Sequence, residues 1–341
     1  MRPQTSKLDP LLCEFDLPLR AIYHPLGFSV EIATNSQEVL FAAEESWGFF
    51  RKVFSEPAVQ LRVAVSESGP RDCPPAPICR GQRHLVANIA DAGNYSVCDL
   101  KTGFVFSWLT PSAVENRAYL RYHFLESMSF VLLTSLYLTP IHGACVAMEG
   151  RGVLLCGDSG AGKSSLAYAC ARSGWTFLSD DSSRLVRKRK GRIVVGNPYQ
   201  MRFRESAIDL FPELKDQRLT LRATGELAIE LPTARLPAIK TACECAIDFI
   251  VFLNRVRGRS AGLRAFSKEV AFNWFEQVIC YGERRVQDEQ RTSLRNLLTA
   301  HVFELRYDDL DSALAQLEAL VREASLPVSQ PFVVERDSQN G

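Results

Sequence analysis

The segment "GDSGAGKSSLA", Gly157 to Ala167, limits what this chain can fold into more than any other stretch of its sequence. It contains Gly157-x-x-x-x-Gly162-Lys163-Ser164, the spacing of a phosphate-binding loop. The flanks agree with it. "RGVLLC" before the loop carries a short apolar run, Val153 to Cys156, which predicts a buried strand. "KSSLAYACARSG" after it predicts a helix, with Leu166, Ala167, Cys170 and Ala171 apolar and Gly174 placed to stop it. Strand, glycine loop and helix follow in the order that phosphate binding requires. Glycines permit the backbone angles that let consecutive N–H groups curl around a phosphate, and a helix N-terminus adds partial positive charge. Lys163 adds a full charge, and Ser164 offers a hydroxyl to Mg²⁺. The expected nucleotide-binding set is therefore Gly157, Asp158, Ser159, Gly160, Ala161, Gly162, Lys163, Ser164 and Ser165. A glycine-rich turn with a surface lysine is the bland account, and the flanking strand and helix weigh against it.

Composition narrows the class. Forty basic residues against 39 acidic ones give a net charge of +1, which argues against a nucleic-acid surface. The basic run "RLVRKRKGRIVV" is expected to be two strands joined by a Lys190-Gly191 turn, with its charges on the solvated face. Ten cysteines show no zinc or redox spacing, and Cys145, Cys156, Cys170 and Cys280 sit in apolar runs as small core residues. With no signal peptide evident at "MRPQTSKLDP", reduced thiols and a cytoplasmic location are expected. The most apolar segment, "YLRYHFLESMSFVLLTSLYLTPIHGACV", has too short an uninterrupted run to span a bilayer, which takes about 20 apolar residues. A buried helix running into a buried strand fits it better, and no membrane association is expected.

Three regions are expected: an N-terminal α/β domain over 1–140, an α/β domain centred on the phosphate loop over 141–325, and a polar, disordered tail over 326–341. In the first region "NSQEVLFAAEESWGFFRKVF" reads as helix and "VQLRVAV" as strand. "SESGPRDCPPAPICRGQ" reads as loop, and "YSVCDL" and "FVFSWL" as paired strands. A long helix is expected from Ser112 to Leu138. Farther on, "AIDFIVFL" and "HVFELRY" read as strands, "SKEVAFNWFEQVICYG" as a helix ending at Gly282, and "DDLDSALAQLEALVREA" as an amphipathic helix.

The strand after the loop helix, "GWTFLSDD", ends in Asp180 and Asp181. A carboxylate at the end of a buried strand beside a phosphate loop is where such proteins hold Mg²⁺, and a second carboxylate can accept a proton from an attacking hydroxyl. "SDDSS" taken alone would be an exposed turn. Its place directly after the loop helix favours the site.

From His142 to Asp181, "IHGACVAMEGRGVLLCGDSGAGKSSLAYACARSGWTFLSDD" resembles the core of HPr kinase/phosphorylases. These bacterial enzymes phosphorylate a serine of the carrier protein HPr. The resemblance implies an α/β fold: a P-loop kinase domain of the HPr kinase/phosphoenolpyruvate carboxykinase-like type, here preceded by a small α/β N-terminal domain. It implies ATP and Mg²⁺ as cofactors, with Lys163 on the β/γ-phosphates, Ser164 and Asp180 on the metal, Asp181 as proton acceptor, and His142 near the transferred phosphate. A packed histidine at the end of an apolar helix is the alternative for His142.

Two departures stand out. Ser165 occupies a position where the family usually has Glu, and the family's glycine-rich second signature is replaced by "VVGNPYQMRFRESAIDLFPEL". Glu205 is a weak candidate for the missing metal ligand, and phosphorylase activity is not expected. The Pro198-to-Arg202 arrangement looks more like HPr-kinase-related kinases that act on precursor peptides. The expected function is an ATP- and Mg²⁺-dependent kinase acting on a serine of a small protein or peptide. An ATP-binding sensing module without phosphotransfer and a small-metabolite kinase are the alternatives, and homo-oligomerisation is left open. Arg202 and Arg204, interleaved with Tyr199 and Phe203, either hold an acceptor segment or form one half-buried strand.

Overall fold

Residues 16–187, 189, 191–221, 227–236, 239–279 and 283–323 are described by the structure, a computed structural model. The expected tail, the Gly282 helix stop and Lys190 of the expected turn lie outside the described residues. The chain divides into two compact units, residues 1–136 and 137–341.

The first unit is built on a seven-stranded sheet. Its strands are β1 (Leu19–Tyr23), β2 (Val30–Thr34), β3 (Val59–Val65), β4 (Ile78–Gln82), β5 (Leu85–Asp91), β6 (Asn94–Asp99) and β7 (Phe104–Leu109), in the order β1-β2-β3-β7-β6-β5-β4. The β2-β3 and β3-β7 pairs are parallel and the others antiparallel. Helix α1 (Gln37–Trp47) links β2 to β3. The end of the expected 66–82 loop is strand β4, every residue of which is exposed.

The single helix expected over Ser112–Leu138 is broken into α2 (Pro111–Glu115), α3 (Arg117–Leu120), a π-helical turn (Arg121–Glu126) and α4 (Ser127–Leu136). Asn116 causes the first break. Its backbone leaves helical geometry and its side chain accepts from the Tyr119 N–H, restarting the helix as a cap. Leu138 already belongs to a strand, β8 (Leu138–His142), and Pro140 is tolerated there because β8 lies at one end of its sheet. Helix into buried strand is thus the form this apolar segment takes. Among the described residues no helix is long and apolar enough to cross a membrane.

The second unit owes its layering to strict alternation along continuous apolar strands. It continues with β9 (Ala144–Met148), β10 (Arg151–Cys156), α5 (Lys163–Arg172), β11 (Thr176–Ser179), β12 (Ser182–Val186) and β13 (Ile193–Val195). Three strands, β14 (Gln200–Phe203), β15 (Leu219–Leu221) and β16 (Leu227–Pro232), form a separate small sheet. The chain then runs through β17 (Lys240–Thr241), β18 (Glu244–Arg255), β19 (Gly262–Ala265), α6 (Lys268–Glu276), α7 (Arg284–Leu297), β20 (His301–Tyr307) and α8 (Leu310–Glu323). The main sheet has the order β17-β11-β9-β10-β18-β13-β12-β8, with β20 parallel to β18 and β19 beside β20.

Along β10, Val153 and Leu155 enter one core while Leu154 and Cys156 enter another. On β18, Phe249, Val251 and Leu253 face the first core, and Ile250 and Phe252 the second. Helices α5 and α8 contribute Leu166, Cys170, Leu317 and Leu320 to the first core; α6 and α7 contribute Phe275, Leu294 and Leu297 to the second. Side chains of one strand point alternately to the two faces, so a sheet covered on both sides needs uninterrupted apolar strands. The central strands are therefore held rigidly, and the loop between β10 and α5 leaves the middle of the sheet.

The "RLVRKRKGRIVV" hairpin is present as β12 antiparallel to β13. One of its charges is not on the solvated face: Arg187 is buried and donates to the Leu138 carbonyl, with Glu289 3.7 Å away. Edge strand β8 and helix α7 thus meet over this guanidinium, which is why the position takes a buried arginine.

Candidate active site

At the end of β10 the chain turns through Gly157, Gly160 and Gly162, whose φ angles are +138°, +90° and +93°. These are left-handed values that residues with a Cβ seldom adopt. Space enforces glycine as well. A Cβ at Gly162 would stand 2.4 Å from the Tyr307 hydroxyl, and one at Gly157 would stand 3.1 Å from the Leu253 carbonyl oxygen. Asp158 accepts the Ala161 N–H through its carbonyl, closing the loop, and Ser159 sits at its exposed crest. Gly162 is the N-cap of α5, with its carbonyl accepting from the Leu166 N–H.

Lys163, the first residue of α5, is buried, and its ammonium donates to the carbonyls of Gly157 (2.8 Å) and Asp158 (3.1 Å). Burial pushes its pKa down, and the Asp181 carboxylate is the strongest influence opposing that shift. Ser164 donates its hydroxyl to the Asp180 carbonyl at 3.3 Å, joining the start of α5 to the end of β11. Ser165 follows on the same first turn.

The two carboxylates have different surroundings. Asp180 is buried, and its Oδ2 accepts the Arg202 N–H at 2.6 Å. Burial raises its pKa to about 6, against the pull of Arg202. Asp181 is half exposed, and its Oδ1 lies 3.2 Å from Nδ1 of His142. His142 ends strand β8, not a helix, and β8 pairs with β12 so that His142 stands opposite Ser182. The Gly143 N–H donates to the Asp181 carbonyl at 3.0 Å, fixing the turn that presents both side chains. The His142 ring also lies near Trp274 of α6, 6.2 Å between centroids.

Loop, Lys163, Ser164, Asp180, Asp181 and His142 are therefore one site on the second unit. Glu205 is exposed at the start of a 3-10 turn, Glu205–Asp209. Strand β14 shows the alternation of a half-buried strand: Met201 and Phe203 are core residues, and Arg202 pairs with Glu230 at 3.0 Å. Tyr307 is a residue of this site that sequence patterns did not reveal. Its hydroxyl donates to the Ala161 carbonyl, but nothing in "HVFELRY" marks a strand end that reaches a loop 146 positions earlier.

Among the described residues no cluster of three or more His, Cys, Asp and Glu side chains is placed to hold a metal ion alone. Ser164, Asp180 and Asp181 are hard oxygen donors, the set Mg²⁺ uses when phosphate and water oxygens complete its octahedron. Glycines that a Cβ could not replace, and a lysine held over the loop, suit a phosphate chain.

Residues 136–205 match the family model described as the HPr Serine kinase C-terminal domain. Over 60 residues, 18% of this chain, the sequence is 38% identical to an HPr kinase/phosphorylase of Halalkalibacterium halodurans. The match spans 19% of that relative's length. A solved structure, the Hpr(Ser) kinase/phosphatase from Coxiella burnetii, aligns over 54% of this chain and 95% of its own at 14% identity, with a TM-score of 0.29. The resemblance to HPr kinases read from His142 to Asp181 thus falls within the segment that the family model matches.

Proposed function

We propose that residues 137–341 form an ATP- and Mg²⁺-dependent kinase that transfers the γ-phosphate to a serine of a small protein or peptide. One observation carries this reading. The exposed Asp181–His142 pair and the buried Asp180 stand beside a glycine loop whose Lys163 feels the Asp181 charge. A binding module would need the loop but not a carboxylate of this kind next to it.

In the proposed chemistry, the acceptor hydroxyl oxygen forms a bond to the γ-phosphorus, and the bond from that phosphorus to the β-γ bridging oxygen breaks. Asp181 takes the hydroxyl proton, held in place by an Nδ1–H of His142. Lys163 leaves the loop carbonyls for phosphate oxygens. Mg²⁺, when bound, neutralises phosphate charge, with Ser164 and Asp180 as its protein partners. The names of the matched family and relative support a serine acceptor on a small protein.

The test is incubation of the purified chain with γ-labelled ATP, Mg²⁺ and candidate acceptors encoded beside it. Label on a serine, lost in Lys163→Ala, is the expected result. ATP affinity and turnover unchanged in Lys163→Ala would overturn the reading.

A further inference from the structure

The residue that follows β14, Arg204, is exposed and reaches back to the glycine loop. Its Nη2 donates to Ser159 Oγ at 2.7 Å, and a Cβ at Gly160 would lie 4.0 Å from its Nη1. The guanidinium therefore lies beside the crest of the loop, where the backbone is barest. Arg202, two residues earlier on β14, is paired with Glu230. Arg204 has no carboxylate in contact among the described residues; its partner is a neutral hydroxyl.

Lys163, on the same loop, is held by two carbonyls and likewise touches no carboxylate. Both the Asp181 and the Arg204 charges act on it, in opposite directions. Arg204, at the crest of the loop, is thus close enough to Lys163 for its charge to be felt there. Two cations held beside one glycine loop repel each other, and an anion placed between them relieves that repulsion.

Resting on the nucleotide-binding reading above, we propose that Arg204 reads the terminal phosphate and makes this site select nucleoside triphosphates over diphosphates. On binding, the guanidinium exchanges the Ser159 hydroxyl for phosphate oxygens. The exchange replaces a neutral acceptor by a charged one, for which the planar guanidinium fork is suited. The loop N–H groups and Lys163 hold what the two nucleotides have in common, so the loss of Arg204 falls on the triphosphate.

The experiment measures Kd for Mg²⁺-ATP and Mg²⁺-ADP by calorimetry on the full chain and on Arg204→Ala, Arg204→Lys and Ser159→Ala, with thermal melts as a folding control. The unmodified chain should bind ATP more tightly than ADP. Arg204→Ala should weaken ATP about 10–100-fold, leave ADP within about threefold, and melt like the parent. Arg204→Lys should recover part of the ATP affinity by charge without the fork. Ser159→Ala, in the loop that binds what both nucleotides share, should shift ATP and ADP affinities together; a loss confined to ATP would count against Arg204 as the reader of the terminal phosphate. Equal loss of ATP and ADP in Arg204→Ala, or no loss of either, overturns the assignment of Arg204 while leaving nucleotide binding intact. Failure of the unmodified chain to bind any nucleotide overturns the underlying reading and this inference with it.

Discussion

The hydroxyl of Tyr307 donates to the carbonyl of Ala161 at 2.6 Å, so the last residue of β20 clasps the glycine loop from 146 positions away. Burial pushes the phenol pKa up to about 12, which keeps the proton on the donor at working pH. The clasp explains why Gly162 has no room for a side chain. Gly162→Ala should cost stability through the left-handed φ, about 1–2 kcal/mol, and through collision with the hydroxyl. Tyr307→Phe should cost about 1 kcal/mol and loosen the loop. Thermal melts of both single variants and the double variant check this. The double variant should lose less than the sum, since removing the hydroxyl clears the collision; strict additivity would show that the two residues do not interact.

Asp181→Asn should keep ATP affinity within a few-fold and lower phosphotransfer about 10²–10⁴-fold, because an amide keeps the shape but accepts no proton. Single-turnover transfer of γ-label, set beside calorimetric ATP binding, separates the two effects. Full activity in Asp181→Asn with an inactive Asp180→Asn would reverse the roles of the two carboxylates.

The difference between the two carboxylates predicts a pH signature. Asp180 has a pKa near 6 in the folded chain, above its ordinary 3.8. Below pH 3.8 both folded and unfolded states hold the proton, and the group costs nothing. Between pH 3.8 and 6 the unfolded chain releases its proton while the folded chain keeps it, so stability falls as pH rises. Above pH 6 the buried charge exacts its full cost, at most about 3 kcal/mol. Asp180→Asn, neutral throughout and still able to accept the Arg202 N–H, should raise the melting temperature at pH 7.5 and leave it unchanged near pH 4. Metal-dependent ATP binding needs the ionised form, so affinity in the parent chain should fall as pH drops through 6. An Asp180→Asn variant destabilised equally at both pH values would contradict this.

The parts of the site legible in the sequence are those set by local chemistry. A glycine that must take positive φ, a lysine at a fixed spacing from it and carboxylates at a strand end leave marks within a few residues. Strands β3 and β20 follow their apolar runs, Val59–Val65 and His301–Tyr307, residue for residue. What escaped depends on distant pairing. Tyr307 reaches the loop because β20 runs parallel to β18, which runs parallel to β10. Arg187 is buried because α7, whose apolar face is only Val286, Leu294 and Leu297, supplies Glu289 from a helix distant in sequence. The helix expected over 112–138 is interrupted because Asn116 caps a new start through one side-chain hydrogen bond, a break that the segment's apolar content masks.

On the proposed function, acceptor recognition is expected to fall on different residues from those that hold the nucleotide. An attacking hydroxyl must be positioned in line with the phosphate it receives, which calls for a surface besides the phosphate loop. Within the 197–214 segment the strand residues are committed elsewhere, while Arg204, Glu205, Ser206, Asp209 and Leu210 are exposed. Met201 and Phe203 are core, Arg202 is paired with Glu230 and donates its N–H to Asp180, and Tyr199 lies 3.5 Å from the Cys243 sulfur. Recognition is expected to draw partly on the first unit, which has its own sheet, as well as on the exposed residues of 197–214. A fragment of residues 137–341 should bind ATP with the affinity of the full chain, because loop, lysine and both carboxylates lie within it. Its kcat/KM for the acceptor labelled by the full chain should fall at least about tenfold, mainly through KM, if the lost contacts bind ground state and transition state alike. Undiminished kcat/KM in the fragment would place recognition within the second unit and refute the expectation.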